Sequence, residues 1–220
     1  MPTEVKANRR VFLVDDHPLV RDQLKQLIER QRGLEVCGEA DEAPRALTLI
    51  TELRPDIVVL DISLKRSHGL ELIKDLQVHC GDIPILVLSM HEESFYALRA
   101  LRAGASGYIT KLQPTTEVIA AIRRVLEGGV YVTEDLQQQI VQQQIGPQSQ
   151  ANDPVESLSD RELEVFHLMG KGFGTRRIAE ELRIGIKSVE AYRTRIKEKF
   201  GARDTTELLF HAIYWAQKLR

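Results

Sequence analysis

Five side chains whose types could do chemistry together stand at the ends of short apolar runs. The adjacent acids Asp15 and Asp16 close "VFLV", Asp61 closes "DIVVL", Ser89 ends "ILVLS", and Lys111 follows "GYIT". Two carboxylates side by side repel each other, so a merely structural site would avoid the pair or neutralise it; this pair asks for a cation. Three carboxylates around one point form an oxygen-rich site for a hard divalent ion, and Mg²⁺ suits it because it takes one or two carboxylates and keeps several waters. Beside such an ion Asp61 can serve as a carboxylate nucleophile towards a phosphoryl group, forming an acyl phosphate. Mg²⁺ and Lys111 would offset the charge on the phosphoryl oxygens, and Ser89 would donate a hydrogen bond to the new phosphate.

These residues meet only if the chain folds so as to gather them. The runs at 11–14, 34–40, 56–61, 83–89 and 107–110 alternate with amphipathic stretches such as "LVRDQLKQLIER", "APRALTLITEL", "LELIKDLQ", "SFYALRALRAG" and "TTEVIAAIRRVLEGG". Continuous β-branched runs, rather than apolar and polar residues in alternation, predict strands covered on both faces. Five βα units predict a doubly wound α/β domain, a five-stranded parallel sheet of flavodoxin-like form. In such a sheet the functional crevice lies at the carboxyl ends of the strands, where all five residues fall.

Other readings of the acids are less suited. An isolated strand-end Asp is usually a turn or cap residue, but here four of five strand ends carry the set. A phosphatase using an Asp nucleophile would want a second Asp two residues on, where this chain has Ser63. A flavin or dinucleotide site would want a Gly-rich or hydroxyl-rich loop after the first strand, and "DDHPLV" supplies negative charge instead.

The 220 residues suffice for about two domains. No apolar run approaches the roughly 18 residues that span a bilayer, and "MPTEVKANRR" lacks the pattern of a secretion signal. With only Cys37 and Cys80, the expectation is a cytoplasmic protein with no membrane association. The net charge of −2 is unevenly spread. Residues 156–220 hold 13 Lys and Arg against 10 Asp and Glu, a balance of +3, and the remainder holds 17 against 22, a balance of −5. A cation in front and a polyanion behind would fit that asymmetry, as would ordinary surface scatter.

A Gln-rich stretch, "LQQQIVQQQIGPQSQANDP", follows the last βα unit. Leu136, Ile140, Val141 and Ile145 could line a short helix, and residues 146–154 are expected to be a tether, the alternative being a helix that packs on the first domain. From Ser159 the pattern is helical throughout. "SDRE" has capping-box form, the helix that follows is expected to end at Gly170 and Gly172, a turn is expected at Gly185, and Asp204 with Glu207 predicts a second capping box. Ile178, Ala179 and Leu182 are spaced as one buried helix face, and Val189, Tyr192, Ile196 and Phe200 as another. The second of these helices leaves Lys187, Glu190, Ala191, Thr194 and Lys197 free, a face that fits the major groove of DNA. In the last helix Leu209, Phe210, Ile213, Tyr214 and Trp215 exceed what one buried face needs, which leaves open a dimer surface or internal packing of Trp215.

"VFLVDDHPLVRDQL", "PDIVVLDISL", "ILVLSMHEE" and "GASGYITK" resemble the receiver domain of bacterial two-component response regulators. The segment "LSDRELEVFHLMGKGFGTRRIAEELRIGIKSVEAYRTRIKEKFGARDTTELLFHAI" resembles the LuxR-type helix-turn-helix, and together they look like a NarL/FixJ-type response regulator. The resemblance spans nearly the whole chain outside the Gln-rich stretch. It implies a receiver over 8–132, a linker over 133–155 and a DNA-binding domain over 156–220. It further implies that Asp61 is the phosphoacceptor, with Asp15, Asp16, Asp61 and the backbone carbonyl of Ser63 around Mg²⁺, and that Ser89 and Lys111 form the switch pair. Tyr108 matches the aromatic switch position; a half-buried strand aromatic is the plainer reading of it. Carried over by position, Glu190, Ala191 and Thr194 face bases, Arg176, Arg177, Lys187 and Lys197 touch phosphates, and Ser188 is a further DNA-binding residue. The implied partners are a sensor histidine kinase, double-stranded DNA, a second copy of the chain when phosphorylated, and RNA polymerase; no external substrate is turned over, so the chain is not expected to be an enzyme.

The chain departs from that pattern at four places. Lys65 stands where the family usually has proline, Leu112 follows the lysine where proline is common, Glu190 replaces a frequent lysine, and Gly185 replaces a hydroxyl N-cap. A glutamate in the groove can accept a hydrogen bond from cytosine N4. His91, two residues after Ser89, occupies a position where phosphate lifetime is often tuned.

Overall fold

The computed structural model describes residues 7–64, 69–90, 93–134, 136–138 and 154–218. Lys65, His91 and residues 139–153 of the expected linker lie outside these. The chain forms two compact units, Met1–Gln142 and Gln143–Arg220.

In the first unit β1 (Arg9–Val14), β2 (Leu34–Ala40), β3 (Ile57–Leu60), β4 (Ile85–Ser89) and β5 (Gly107–Thr110) alternate with α1 (Pro18–Glu29), α2 (Ala43–Leu53), α3 (Gly69–Cys80), α4 (Glu93–Arg102) and α5 (Thr115–Leu126). The strands pair in parallel in the order β2-β1-β3-β4-β5, the doubly wound form expected. Side chains alternate across the sheet, and this divides the core in two. Phe12, Val14, Val58, Leu60, Val87 and Tyr108 lie in one buried cluster with residues of α2, α3 and α4. Val11, Leu13, Ile57, Val59, Leu86, Leu88 and Ile109 lie in the other with residues of α1 and α5. Every residue of β3 and β4 is buried, which is why these strands are written in unbroken aliphatic residues.

Parallel hydrogen bonding runs on past the strand ends and holds the loops there. Asp15 N–H donates to the carbonyl of Ala40 at 3.1 Å, Asp61 N–H to that of Val14 at 2.8 Å, and Lys111 N–H to that of Ser89 at 2.8 Å. Pro18 opens α1, where a missing N–H costs nothing. Gly69 opens α3 against the Asp61 loop; a Cβ there would stand 2.3 Å from the Ile62 Cα, so this approach admits only glycine.

Leu136, placed by sequence in the linker, is 1% exposed and joins the first unit's core. Val155 and Leu158 are likewise buried. Both described ends of the 133–155 segment are therefore packed, because their apolar side chains find a core within reach.

The second unit contains α6 (Asp160–Gly170), α7 (Thr175–Glu181), α8 (Ile186–Phe200) and α9 (Thr205–Lys218). Ser159 and Glu162 form the expected capping box. Lys199 adds to it, its Nζ donating to Glu162 Oε2 at 2.6 Å and to the Ser157 carbonyl at 2.7 Å, which ties the end of α8 to the start of α6. Burial opposes the Glu162 charge, but bonds from Lys199 and Ser159 outweigh it and hold the carboxyl below its usual range.

Two local expectations need correcting. At the start of α9, Asp204 accepts from the N–H groups of Thr206 and Glu207, but Glu207 reaches Arg203 N–H at 2.7 Å and not that of Asp204. The box is open, since the Arg203 guanidinium also draws Glu207 outward. The reversal between α7 and α8 turns on Arg183, at φ 52°, and not on Gly185, which has φ −66° and is the N-cap of α8, as its place in the sequence pattern implied. Gly170 lets α6 and α9 cross closely, with the Ala212 carbonyl 2.4 Å from where a Cβ would sit. Trp215 packs internally, its ring 5.6 Å from that of Phe166; Phe210 and Tyr214 are exposed.

Candidate functional site

The ends of β1, β3, β4 and β5 bring Asp15, Asp16, Asp61, Ser89 and Lys111 to one edge of the sheet, all but Lys111 less than 5% exposed as whole residues. Lys111 Nζ donates to Asp15 Oδ2 at 2.5 Å and to Asp61 Oδ2 at 2.7 Å. The other Asp61 oxygen accepts the Ser63 N–H at 2.9 Å. Burial pushes the Asp61 carboxyl above its usual range and the Asp15 charge adds to the rise; Lys111 and the Ser63 N–H oppose it without reversing it. Burial also disfavours the Lys111 ammonium, yet Asp61 and Asp15 on either side keep its pKa above the usual lysine value.

One ammonium among three buried carboxylates leaves the cluster at formal charge −2, which a divalent cation would balance. Ligand atoms of Asp15, Asp16, His17 and Asp61 lie within 4.8 Å of one another. Such a set of carboxylate oxygens fits a hard ion such as Mg²⁺.

Two residues that the sequence reading missed shape this loop. His17 donates its N–H to Asp15 Oδ1 at 2.8 Å and brings Nδ1 within 2.7 Å of Asp16 Oδ1. Arg21, one turn into α1, donates from Nη1 to the Asp15 carbonyl at 2.6 Å. The spacing of Arg21 from Asp15 was the available signal, since it stands near the end of the loop whichever way α1 begins.

Ser89 and Tyr108 are both fully buried. Tyr108 is thus not the half-buried aromatic of the plainer reading; although β5 is the edge strand, the Tyr108 ring joins the core cluster that residues of α4 complete. Leu112 and Met90, next to the site, are 78% and 62% exposed.

In the second unit, α7 and α8 form the helix-turn-helix. Ile178, Ala179, Val189 and Ile196 are buried between the helices, while Leu182, Tyr192 and Phe200 are half-buried. Lys187, Ser188, Glu190, Ala191 and Thr194 are exposed on α8, Lys197 is half-buried, and Arg176 and Arg177 are exposed on α7. The Arg177 guanidinium lies 3.9 Å over the Phe173 ring, and the Thr194 hydroxyl donates to the Glu190 carbonyl at 3.0 Å. Neither α7 nor α8 has an acidic residue in its first turn. Helix stability favours acids there, so Arg176, Arg177 and Lys187 are placed against the needs of the fold.

Comparison with known proteins gives both halves a family. Residues 11–123 match the response regulator receiver domain, and residues 156–212 match the LuxR family of bacterial regulatory proteins. The chain is 34% identical over 210 residues to the oxygen regulatory protein NreC of Staphylococcus epidermidis, covering 93% of this chain and 96% of that one. It is 34% identical over 204 residues to the response regulator GacA of Pseudomonas aeruginosa, with 93% and 95% covered. A crystal structure of a LuxR-family two-component response regulator from Aurantimonas superposes with a TM-score of 0.59 at 40% identity, covering 63% of this chain and 99% of that one. An aspartate-lined parallel sheet joined to a helix-turn-helix, with relatives of the same two-part build along nearly its whole length, makes this chain a two-component response regulator with a receiver domain and a LuxR-type DNA-binding domain.

Proposed function

We propose that Asp61 is the phosphoacceptor of this receiver and that its phosphorylation by a sensor histidine kinase controls how the second unit binds DNA. An Asp61 oxygen attacks phosphorus, the bond from phosphorus to the kinase histidine breaks, and the acyl phosphate remains on Asp61 while the imidazole leaves. Asp15, Asp16, Asp61 and the Ser63 carbonyl would hold Mg²⁺, which would supply positive charge to offset that of the phosphoryl oxygens. Lys111 is already bonded to Asp61 and moves with the growing charge to a phosphoryl oxygen. The Ser63 N–H orients the nucleophile. Ser89 turns its hydroxyl to the new phosphate, and Tyr108, packed inward on the neighbouring strand, follows the space Ser89 leaves.

The observation that supports this reading best is the placement of Asp61 between an ammonium and a backbone N–H, with two further carboxylates alongside. The chain catalyses only its own phosphorylation and dephosphorylation and turns over no external substrate.

On DNA, Glu190, Ala191 and Thr194 would face base edges, Arg176, Arg177, Lys187 and Lys197 would meet phosphates, and Ser188 would stand among them at the start of α8. The phosphorylated form pairs with a second copy, with Phe210 and Tyr214 as the exposed apolar residues of α9 available for that contact, and acts with RNA polymerase in the cytoplasm.

The test is incubation with acetyl phosphate and Mg²⁺, resolved on a phosphate-affinity gel beside Asp61→Ala. A shifted band in the wild type alone, lost with chelator, is the expected result. A band that persists in Asp61→Ala would move the phosphoacceptor elsewhere. Equal DNA affinity before and after phosphorylation would leave the receiver without control over the second unit.

A further inference from the structure

Among the residues of α8 not assigned to DNA, Arg193 is singular. It lies one turn beyond Glu190 and is half-buried, where a guanidinium normally has a carboxylate beside it. Among the described residues, its hydrogen bond is to a neutral group, with Nη1 donating to Thr175 Oγ1 at 2.6 Å. Arg161 by contrast meets Glu164 at 2.8 Å, and Arg203 meets Glu207 at 3.1 Å. A guanidinium has five N–H donors in a rigid fork. One hydroxyl occupies one of them and cancels none of the charge.

Thr175 is the first residue of α7, beside the exposed Arg176 and Arg177. The Arg193–Thr175 bond thus joins the recognition helix to the start of the helix that precedes it and holds the fork at the level where cations already gather. Holding a long cationic side chain in one rotamer lowers the entropy lost when it takes a partner.

We propose that Arg193, oriented by Thr175, is a binding residue for a backbone phosphate of DNA, with the phosphate as the anion that the half-buried charge lacks in the free protein. The assignment rests on the reading of the second unit as a DNA-binding domain. Arg193 contributes affinity without base preference, and Thr175 is a positioning residue that acts through it.

Counterion release separates this role from a structural one. Each phosphate neutralised contributes about 0.9 to the slope of log affinity against log salt. Binding of the full chain to a fluorescein-labelled duplex of mixed sequence is measured by anisotropy between about 50 and 200 mM NaCl. Arg193→Gln keeps a donor for Thr175 but no charge, and its slope should be shallower by about 0.9, with affinity at the low-salt end reduced roughly threefold to tenfold. Arg193→Lys should retain the wild-type slope. Thr175→Val should weaken binding about twofold to fivefold with the slope unchanged, since it removes orientation and not charge. A wild-type slope in Arg193→Gln overturns the assignment. If Arg193→Gln loses helical circular dichroism, the comparison moves to Arg193→Met, whose slope must likewise be shallower by about 0.9. No binding by the wild-type chain, phosphorylated or not, would instead defeat the DNA-binding reading on which the assignment rests.

Discussion

Lys111 illustrates how the acidic site balances opposing demands. Its ammonium holds together two buried carboxylates, and it also repels the divalent cation that the three acids would otherwise draw in. Lys111→Met should destabilise the metal-free receiver by roughly 3–5 kcal/mol, the usual cost of leaving a buried charge unpaired. The same variant should bind Mg²⁺ several-fold more tightly, so added Mg²⁺ should recover most of the lost stability. Urea unfolding with and without Mg²⁺ checks this, and a deficit that Mg²⁺ does not reduce would mean the lysine contributes by packing alone. On α8, Glu190 is exposed, on the face proposed to enter the groove. Glu190→Ala should relax preference for a cytosine in each half-site of selected sequences, by about 1–3 kcal/mol at that base pair; unchanged preference in a selection from random duplexes would remove Glu190 from readout.

At the level of elements, helix ends carry effects that composition does not show. The carboxyl of Glu162 lies 3% exposed between Ser159 N–H and Lys199. Because its pKa is lowered on folding, the stability it confers is present above the ordinary value of 4.5 and is lost as pH falls through the lower folded value. Glu162→Gln should therefore be less stable than the wild type by about 1–2 kcal/mol at neutral pH, and the two should converge on acidification, as read by thermal melts of the second unit. Gly185, the N-cap of α8, has no side-chain bond to offer, and a Cβ there meets nothing closer than 3.7 Å. Gly185→Ser should raise stability by a few tenths of a kcal/mol, a rise in melting temperature of about 1–2 °C. Gly69 is the opposite case. Gly69→Ala should cost more than about 2 kcal/mol, because the atom it strikes is the backbone of the Asp61 loop, and phosphorylation should fall with it.

For the whole molecule, two compact units with separate cores predict two unfolding transitions. Mg²⁺ should raise the melting temperature of only one, the receiver, since all four candidate ligand residues belong to it. Calorimetry with and without Mg²⁺ tests this; a single transition shifted as a whole would show that the units unfold together. Much of this organisation could be read directly from the residues. Strand runs such as "IVVL" and "ILVLS" are nearly pure signal, because a strand covered on both faces tolerates little else. For the same reason the strand ends, and with them Asp15, Asp16, Asp61, Ser89 and Lys111, could be located and expected to converge. The helix-turn-helix residues followed from helical spacing of buried positions. What lay beyond sequence depended on distances between segments far apart in the chain. That Lys111 bonds both Asp15 and Asp61, that Arg21 secures the Asp15 carbonyl, that Glu207 turns to Arg203, and that Arg193 meets Thr175 across 18 residues are outcomes of packing. Local periodicity tells which face of a segment is buried. Which partner a long polar side chain finds there is set by competition among all the groups that packing brings within reach, and no single segment carries that information.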